Sequence, residues 1–302
     1  MIWLIGCKGM LGSEIARQLT ENKINYAGTD IDVDITNQDA LEKFAQETGA
    51  KEKITHIINC SAYTAVDKAE SDVELATKLN EAGPGNIAAV AEKIGATMIH
   101  ISTDYVFDGT GNTPRTEEMD IAPIGVYGVT KAAGEKAVKN QLKKYYILRT
   151  AWLYGWAGRN FVYTMIKAMN THPAVKVVND QRGTPTFAGD LAGVILNIIN
   201  KELAGSKIPY GTYHCTDLGD ITWFDFTNEI KKQAVELGFI TNKECVVNPC
   251  TTDEYPTPAK RPAYSVLCKD KIQNALGIKL PQWEESLSTF LKSPLFDKSR
   301  IE

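Results

Sequence analysis

The chain has 302 residues, 43% hydrophobic and 23% charged, a composition that suits one large or two modest globular domains. Its 33 basic and 37 acidic side chains leave a net charge of −4, so nothing points to a nucleic acid or an anionic membrane as partner. No apolar run approaches the length of a membrane span, and the N-terminus enters a strand at once without a basic leader, so neither a span nor a signal peptide is expected.

Short apolar runs at 2–5, 25–29, 54–60, 97–102 and 145–148 read as strands. Amphipathic stretches at 13–22, 39–48, 72–80 continuing to 92, and 127–141 read as the helices between them. This alternation predicts an α/β fold of the Rossmann type, a doubly wound parallel sheet buried on both faces with right-handed crossovers. After residue 150 the rhythm loosens. Helices are expected at 160–170, 188–200, 224–237 and 282–291, strands at 175–178 and 211–216, and a Pro-rich segment at 248–262. The expected division is a nucleotide-binding domain over 1–150, with later segments threading back to it, and a smaller mixed α/β substrate domain over 151–302 with discontinuous boundaries. The six cysteines form no C-x-x-C pair, which argues against a zinc ribbon or redox dithiol and for a reducing cytoplasm. Cys60 falls in an apolar strand and reads as a small buried hydrophobe.

Gly6, Gly9 and Gly12 make a G-x-x-G-x-x-G turn between the first strand and the first helix. Glycines there permit a tight turn and let backbone approach a pyrophosphate, while the helix start, with Met10 and Leu11, offers free amides and a positive dipole end. Asp30, at the end of the second strand, is placed for the adenosine ribose hydroxyls and favours NADH. Lys8 argues for NADPH, because a cation in the glycine loop can meet a 2′-phosphate. Asp34 and Ile35 fall beside the adenine. Ala62, Tyr63 and Thr64, just beyond the third strand, are candidates for the pyrophosphate and nicotinamide ribose. Asn80 is read either as a polar clamp on a nearby carbonyl or water, or as a local irregularity of its helix.

The fourth strand delivers Thr103 and Asp104 to the carboxyl edge of the sheet. Tyr127 and Lys131, four apart on a helix, project from one face toward it. A hydroxyl, a phenol and an ammonium converging on a nicotinamide suit reduction of a ketone. Thr103 would hydrogen-bond the carbonyl oxygen, Tyr127 would donate a proton as hydride arrives, and Lys131 would lower the Tyr127 pKa and bind the nicotinamide ribose. No histidine cluster or metal-ligand spacing is present among the four histidines.

The glycine turn, the Thr103…Tyr127-x-x-x-Lys131 set and the chain length resemble the extended short-chain dehydrogenase/reductases. Within them the chain resembles the dTDP-4-dehydrorhamnose reductase family over nearly its whole length. Five blocks carry that likeness: Thr-Ala-Val-Asp-Lys-Ala-Glu at 64–70, Ser-Thr-Asp-Tyr-Val-Phe-Asp-Gly at 102–109, Arg-Thr-Ala-Trp-Leu-Tyr at 149–154, Asn-Asp-Gln-Arg-Gly-Thr-Pro-Thr at 179–186 and Tyr-Pro-Thr-Pro-Ala-Lys-Arg-Pro at 255–262. The resemblance implies reduction of the 4-keto group of a dTDP-6-deoxyhexulose by NADPH or NADH. It implies Thr103, Asp104 and Trp152 at the sugar, in a cytoplasmic monomer or homodimer, with a structural Mg2+ left open. Arg182 is read either as a partner of the substrate diphosphate or as a turn-stabilising cation, and Lys260 and Arg261 either as phosphate clamps or as solvated charges. Two alternatives accompany this reading. One is another nucleotide-sugar enzyme of the superfamily, an epimerase or a dehydratase; Tyr105 holds the place where a dehydratase needs a second acid. The other is a non-catalytic regulatory subunit of methionine adenosyltransferase, which resembles the same family.

Overall fold

Six parallel strands make the central sheet of the computed structural model, which describes residues 1–301. Their spatial order is Gly211–His214, Tyr145–Thr150, Thr97–Thr103, His56–Asn59, Ile2–Ile5 and Tyr26–Thr29. Side chains alternate across a strand, so the first strand feeds two cores. Ile2 and Leu4 join Ile58, Ile99 and Leu148 beneath helices Met10–Glu21 and Ala188–Leu203. Trp3 and Ile5 join Ile57, Met98 and Ile147 beneath Gln38–Gly49, Gly83–Ile94 and Val126–Gln141. A run of four fully buried apolar residues is what a strand covered on both faces requires. A third core is aromatic. Tyr154, Phe187, Phe226 and Phe290 pack with helices Phe161–Thr171, Trp223–Glu236 and Trp283–Lys292.

Where boundaries differ from expectation, local hydrogen bonds account for the difference. The first helix starts at Met10 instead of 13, because Gly9 is already extended and acts as its N-cap. The third strand stops at Asn59, whose carboxamide oxygen accepts from the Ser61 amide (3.0 Å) and hydroxyl (2.5 Å) and so bends the chain. Cys60 therefore lies beyond the strand, not within it. The helix expected from 72 onward is interrupted: Val73–Thr77 passes into a π-helical turn, Lys78–Ala82, before Gly83–Ile94. π turns concentrate at functional positions, and this one turns Asn80 inward, fully buried. Its carboxamide accepts from the Tyr63 amide (2.8 Å) and donates to the Tyr63 carbonyl and to Thr130 Oγ1, both at 3.1 Å. Both readings of Asn80 thus hold. The Pro-rich segment begins as a strand that was not foreseen: Val246–Cys250 pairs in parallel with Ala174–Val178.

Candidate active site

One cleft of about 1000 Å³ runs along the carboxyl edge of the sheet. It is lined at one end by the glycine turn, Asp30 and Asp34, and at the other by Thr103, Tyr127, Lys131 and Trp152. The turn is built for close approach. Gly6 has φ +76°, and a Cβ there would lie 2.8 Å from the Ser61 nitrogen. A Cβ on Gly12 would lie 2.0 Å from the Gly6 carbonyl oxygen, so only glycine lets the helix start against the turn. The first helical bond runs from the Ser13 amide to the Gly9 carbonyl (2.9 Å), which leaves the amides of Met10, Leu11 and Gly12 ahead of the helical ladder. Asp30 closes the turn from the other side, accepting from the backbone amides of Lys8 and Ile31 at 3.0 Å each. Asp34 holds an Asx turn onto Thr36 at 2.8 Å, and Ile35 is buried against Gly83.

The third-strand loop supplies Ala62 and Thr64 to the cleft. The Tyr63 side chain does not line the cleft: its hydroxyl donates to Asp72 (3.0 Å) while Asn80 grips its backbone. Replacing Asn80 by Ala removes two buried hydrogen bonds to this loop and one to Thr130 on the helix Val126–Gln141. We expect unfolding stability to fall by about 1–3 kcal/mol and coenzyme KM to rise, measured by denaturant melts and initial rates.

Thr103 is the hub of the chemical end. Its hydroxyl donates to Asp104 (2.9 Å) and accepts from the Tyr105 amide (3.2 Å), and it lies near enough to the Tyr127 phenol to ease its pKa downward. Burial pushes Asp104 up to about 6, held back by the Ser265 and Thr103 hydroxyls. Lys131 is buried, and its ammonium donates to the Ile101 carbonyl at 2.7 Å. Burial brings it down to about 8, opposed by Glu135 and Cys60. The expected lowering of the Tyr127 pKa is reversed. Desolvation raises the phenol to about 12, the Thr103 hydroxyl eases it and the Asp104 carboxylate adds to it, while Lys131 is engaged with the backbone of the fourth strand. A phenol so raised is held protonated at neutral pH, the state a proton donor needs.

Trp152 lines the cleft from an unusual backbone position, φ +47°, in the left-handed region that side chains rarely occupy. It stacks on Trp223 with ring centroids 3.7 Å apart. Gly183 lies against it, where a Cβ would come within 2.6 Å of the indole. The three cations offered to phosphate have these surroundings. Arg182 is exposed and bound to Asp220, through Nε to the carboxylate (2.8 Å) and through a second nitrogen to the carbonyl (2.9 Å). Arg261 makes a bidentate pair with Asp67 at 2.9 and 3.0 Å, tying the Pro-rich segment to the 64–67 loop. Lys260 is solvated. Tyr105, edge-on to Tyr127, also lines the cleft, as do residues that sequence reasoning passed over, among them Ile31, 91% exposed beside Asp30, and Arg159. The place of Ile31, one residue past the strand-ending acid, was readable in advance; that of Arg159 was not. No group of three or more His, Cys, Asp or Glu side chains able to hold a metal is found among the described residues, so the Mg2+ left open has no ligand set here.

A glycine cradle at one end of a cleft and a Thr–Tyr–Lys set at the other define an NAD(P)H-dependent carbonyl oxidoreductase of the extended short-chain dehydrogenase/reductase type. The model of the RmlD substrate binding domain family matches residues 1–295. The chain belongs to this family, that of the dTDP-4-dehydrorhamnose reductases. It is 39% identical to the dTDP-4-dehydrorhamnose reductase of Aggregatibacter actinomycetemcomitans over 94% of this chain and 96% of that one. Among solved structures, the Clostridium acetobutylicum dTDP-4-dehydrorhamnose reductase superposes with a TM-score of 0.87 at 45% identity, covering 96% of this chain and 98% of the other. The Bacillus anthracis dTDP-4-dehydrorhamnose reductase in complex with NADP does so with a TM-score of 0.87 at 36% identity, with the same two coverages, 96% and 98%.

Proposed function

We propose that this chain reduces the 4-keto group of dTDP-4-dehydro-L-rhamnose to give dTDP-L-rhamnose. The observation that carries the reading is the convergence of Thr103, Tyr127 and Lys131 on the cleft whose far end is the glycine turn. The residues there fit a dinucleotide: the turn lines the cleft, it is tight enough that a Cβ at Gly6 or Gly12 would collide with neighbouring backbone, and the amides of Met10, Leu11 and Gly12 are free of the helical ladder. NADPH is the proposed coenzyme, as in the Bacillus anthracis relative, and supplies hydride to sugar C4. Tyr127 gives its proton to the carbonyl oxygen, forming the new O–H bond. Thr103 hydrogen-bonds the same oxygen and orients the phenol. Lys131, fixed on the Ile101 carbonyl, presents its remaining protons to the nicotinamide ribose. Asp104 and Trp152 border the sugar, the indole offering an apolar face to the C–H surface of the ring. We assign the nucleotide to residues 1–150, with 188–214 returning to that sheet, and the sugar mainly to the remainder. A cytoplasmic setting is proposed from the free cysteines.

Following NADH and NADPH oxidation separately with the 4-keto sugar nucleotide, with the product identified, tests this reading. One coenzyme should be consumed per sugar, with NADPH preferred. Interconversion of the sugar without net coenzyme consumption would indicate an epimerase. No turnover at all, with capture of methionine adenosyltransferase, would indicate the regulatory subunit.

A further inference from the structure

Arg159 lines the cleft together with Gly9, Met10 and Leu11, yet it is exposed and enters no hydrogen bond or ion pair among the described residues. The loop that carries it is held from several directions. The Arg300 guanidinium donates to the Trp156 carbonyl at 2.5 Å and also to the Gly158 carbonyl, and lies over the Tyr163 ring, 4.0 Å from its centroid. Asn160 donates to the Gly155 carbonyl (2.7 Å) while its oxygen caps the next helix by accepting from the Tyr163 amide (3.2 Å). Gly158, at φ +65°, would place a Cβ 3.6 Å from the Met10 Cβ, so the loop abuts the helix start. An otherwise unpartnered guanidinium is thus presented on a fixed backbone beside a helix N-terminus already short of negative charge.

The other cations of the cleft are placed differently. Lys8 lies at the Asp30 end, and Lys131 is committed to the Ile101 carbonyl. Arg17, on the same first helix, is neutralised by Glu14 and Glu21. Resting on the coenzyme reading above, we infer that Arg159 reaches over the dinucleotide beside the start of the first helix and pairs with its pyrophosphate. Its planar fork matches phosphate geometry, and its fixed loop reduces the ordering cost.

The test is direct titration of NADPH and of NADH, by nucleotide fluorescence, into wild-type protein, Arg159→Ala and Arg159→Lys. The Ala variant should bind both coenzymes about tenfold more weakly, the scale of one charge-assisted hydrogen bond. The Lys variant should fall between, and the salt dependence of the dissociation constant should be shallower in Ala than in wild type. Unchanged affinity for both coenzymes in Arg159→Ala would overturn the assignment. So would a loss confined to NADPH, which would place the guanidinium on the 2′-phosphate, or a rise only in KM for the dTDP-sugar, which would place it on the substrate diphosphate. Failure of the wild-type protein to bind either coenzyme would defeat the coenzyme reading itself, a result separable from the others.

Discussion

Tyr127→Phe should lower kcat by about 10²–10⁴-fold, the range that general acid catalysis contributes, while coenzyme affinity stays within a few-fold. The substitution removes one oxygen and leaves the ring, whose edge-on contact with Tyr105 has centroids 5.5 Å apart. Lys131 keeps its bond to the Ile101 carbonyl, and the glycine turn is remote from the change. What disappears is the proton that must reach the sugar oxygen as hydride arrives. Desolvation keeps the phenol protonated until the carbonyl oxygen needs its proton, while the Lys131 ammonium is held on the Ile101 carbonyl and Asp104 accepts from the Thr103 hydroxyl. Steady-state rates with the 4-keto sugar nucleotide, paired with coenzyme titration, check this. Turnover comparable to wild type would remove Tyr127 from the acid role. Equal losses in coenzyme binding would make it a binding residue instead.

The residues of this site differ in how far sequence could place them. The glycine turn, the end of the fourth strand and the Tyr127–Lys131 spacing are local in the chain, and local geometry fixes them: a strand, a turn whose glycines contact each other's backbone, and one helix face. The six-stranded sheet was legible for the same reason, since apolar runs buried on both faces leave a plain signature. Pairings over long separations were not. Arg182 meets Asp220 and Arg261 meets Asp67 across 38 and 194 positions, and nothing near either arginine announces its partner. The surroundings of Tyr63 were not legible either: its hydroxyl meets Asp72 and its backbone is held by Asn80, seventeen positions away, on a π turn that periodicity cannot show. The Tyr127 pKa went the other way because helical spacing puts Lys131 on the same face but does not say which carbonyl its ammonium takes. The Val246–Cys250 strand was hidden by Pro249, a residue that argues against a central strand and is tolerated at an edge.

Arg149→Met should cost about 3–5 kcal/mol of stability, the penalty for leaving one charge of a buried pair alone. Arg149 and Glu135 are both nearly inaccessible, joined through two bonds at 2.8 and 2.7 Å, with Ser102 donating to the same carboxylate at 2.6 Å. The pair also joins two parts of the site. Glu135 lies one helical turn beyond Lys131, and Arg149 is paired in register with Ser102, the neighbour of Thr103. Burial alone would raise the Glu135 pKa, but Arg149 most of all, with Ser102 and Lys139 (3.5 Å), outweighs it and holds the carboxyl below its ordinary value. A depressed folded-state pKa contributes stability that is present above the unfolded value and is lost as pH falls through the folded one. Without the guanidinium, burial governs, the folded-state pKa rises above the unfolded value, and the carboxylate is penalised as pH increases. The gap between wild type and Arg149→Met should therefore be widest near neutral pH and narrow as pH falls toward about 4, the ordinary range of a glutamate. Adding Glu135→Leu removes the stranded charge, so the double variant should recover much of the loss. Denaturant melts of wild type, Arg149→Met and the double variant across pH measure this. A gap independent of pH, or a double variant no more stable than Arg149→Met, would show that packing and not the uncompensated carboxylate sets the cost.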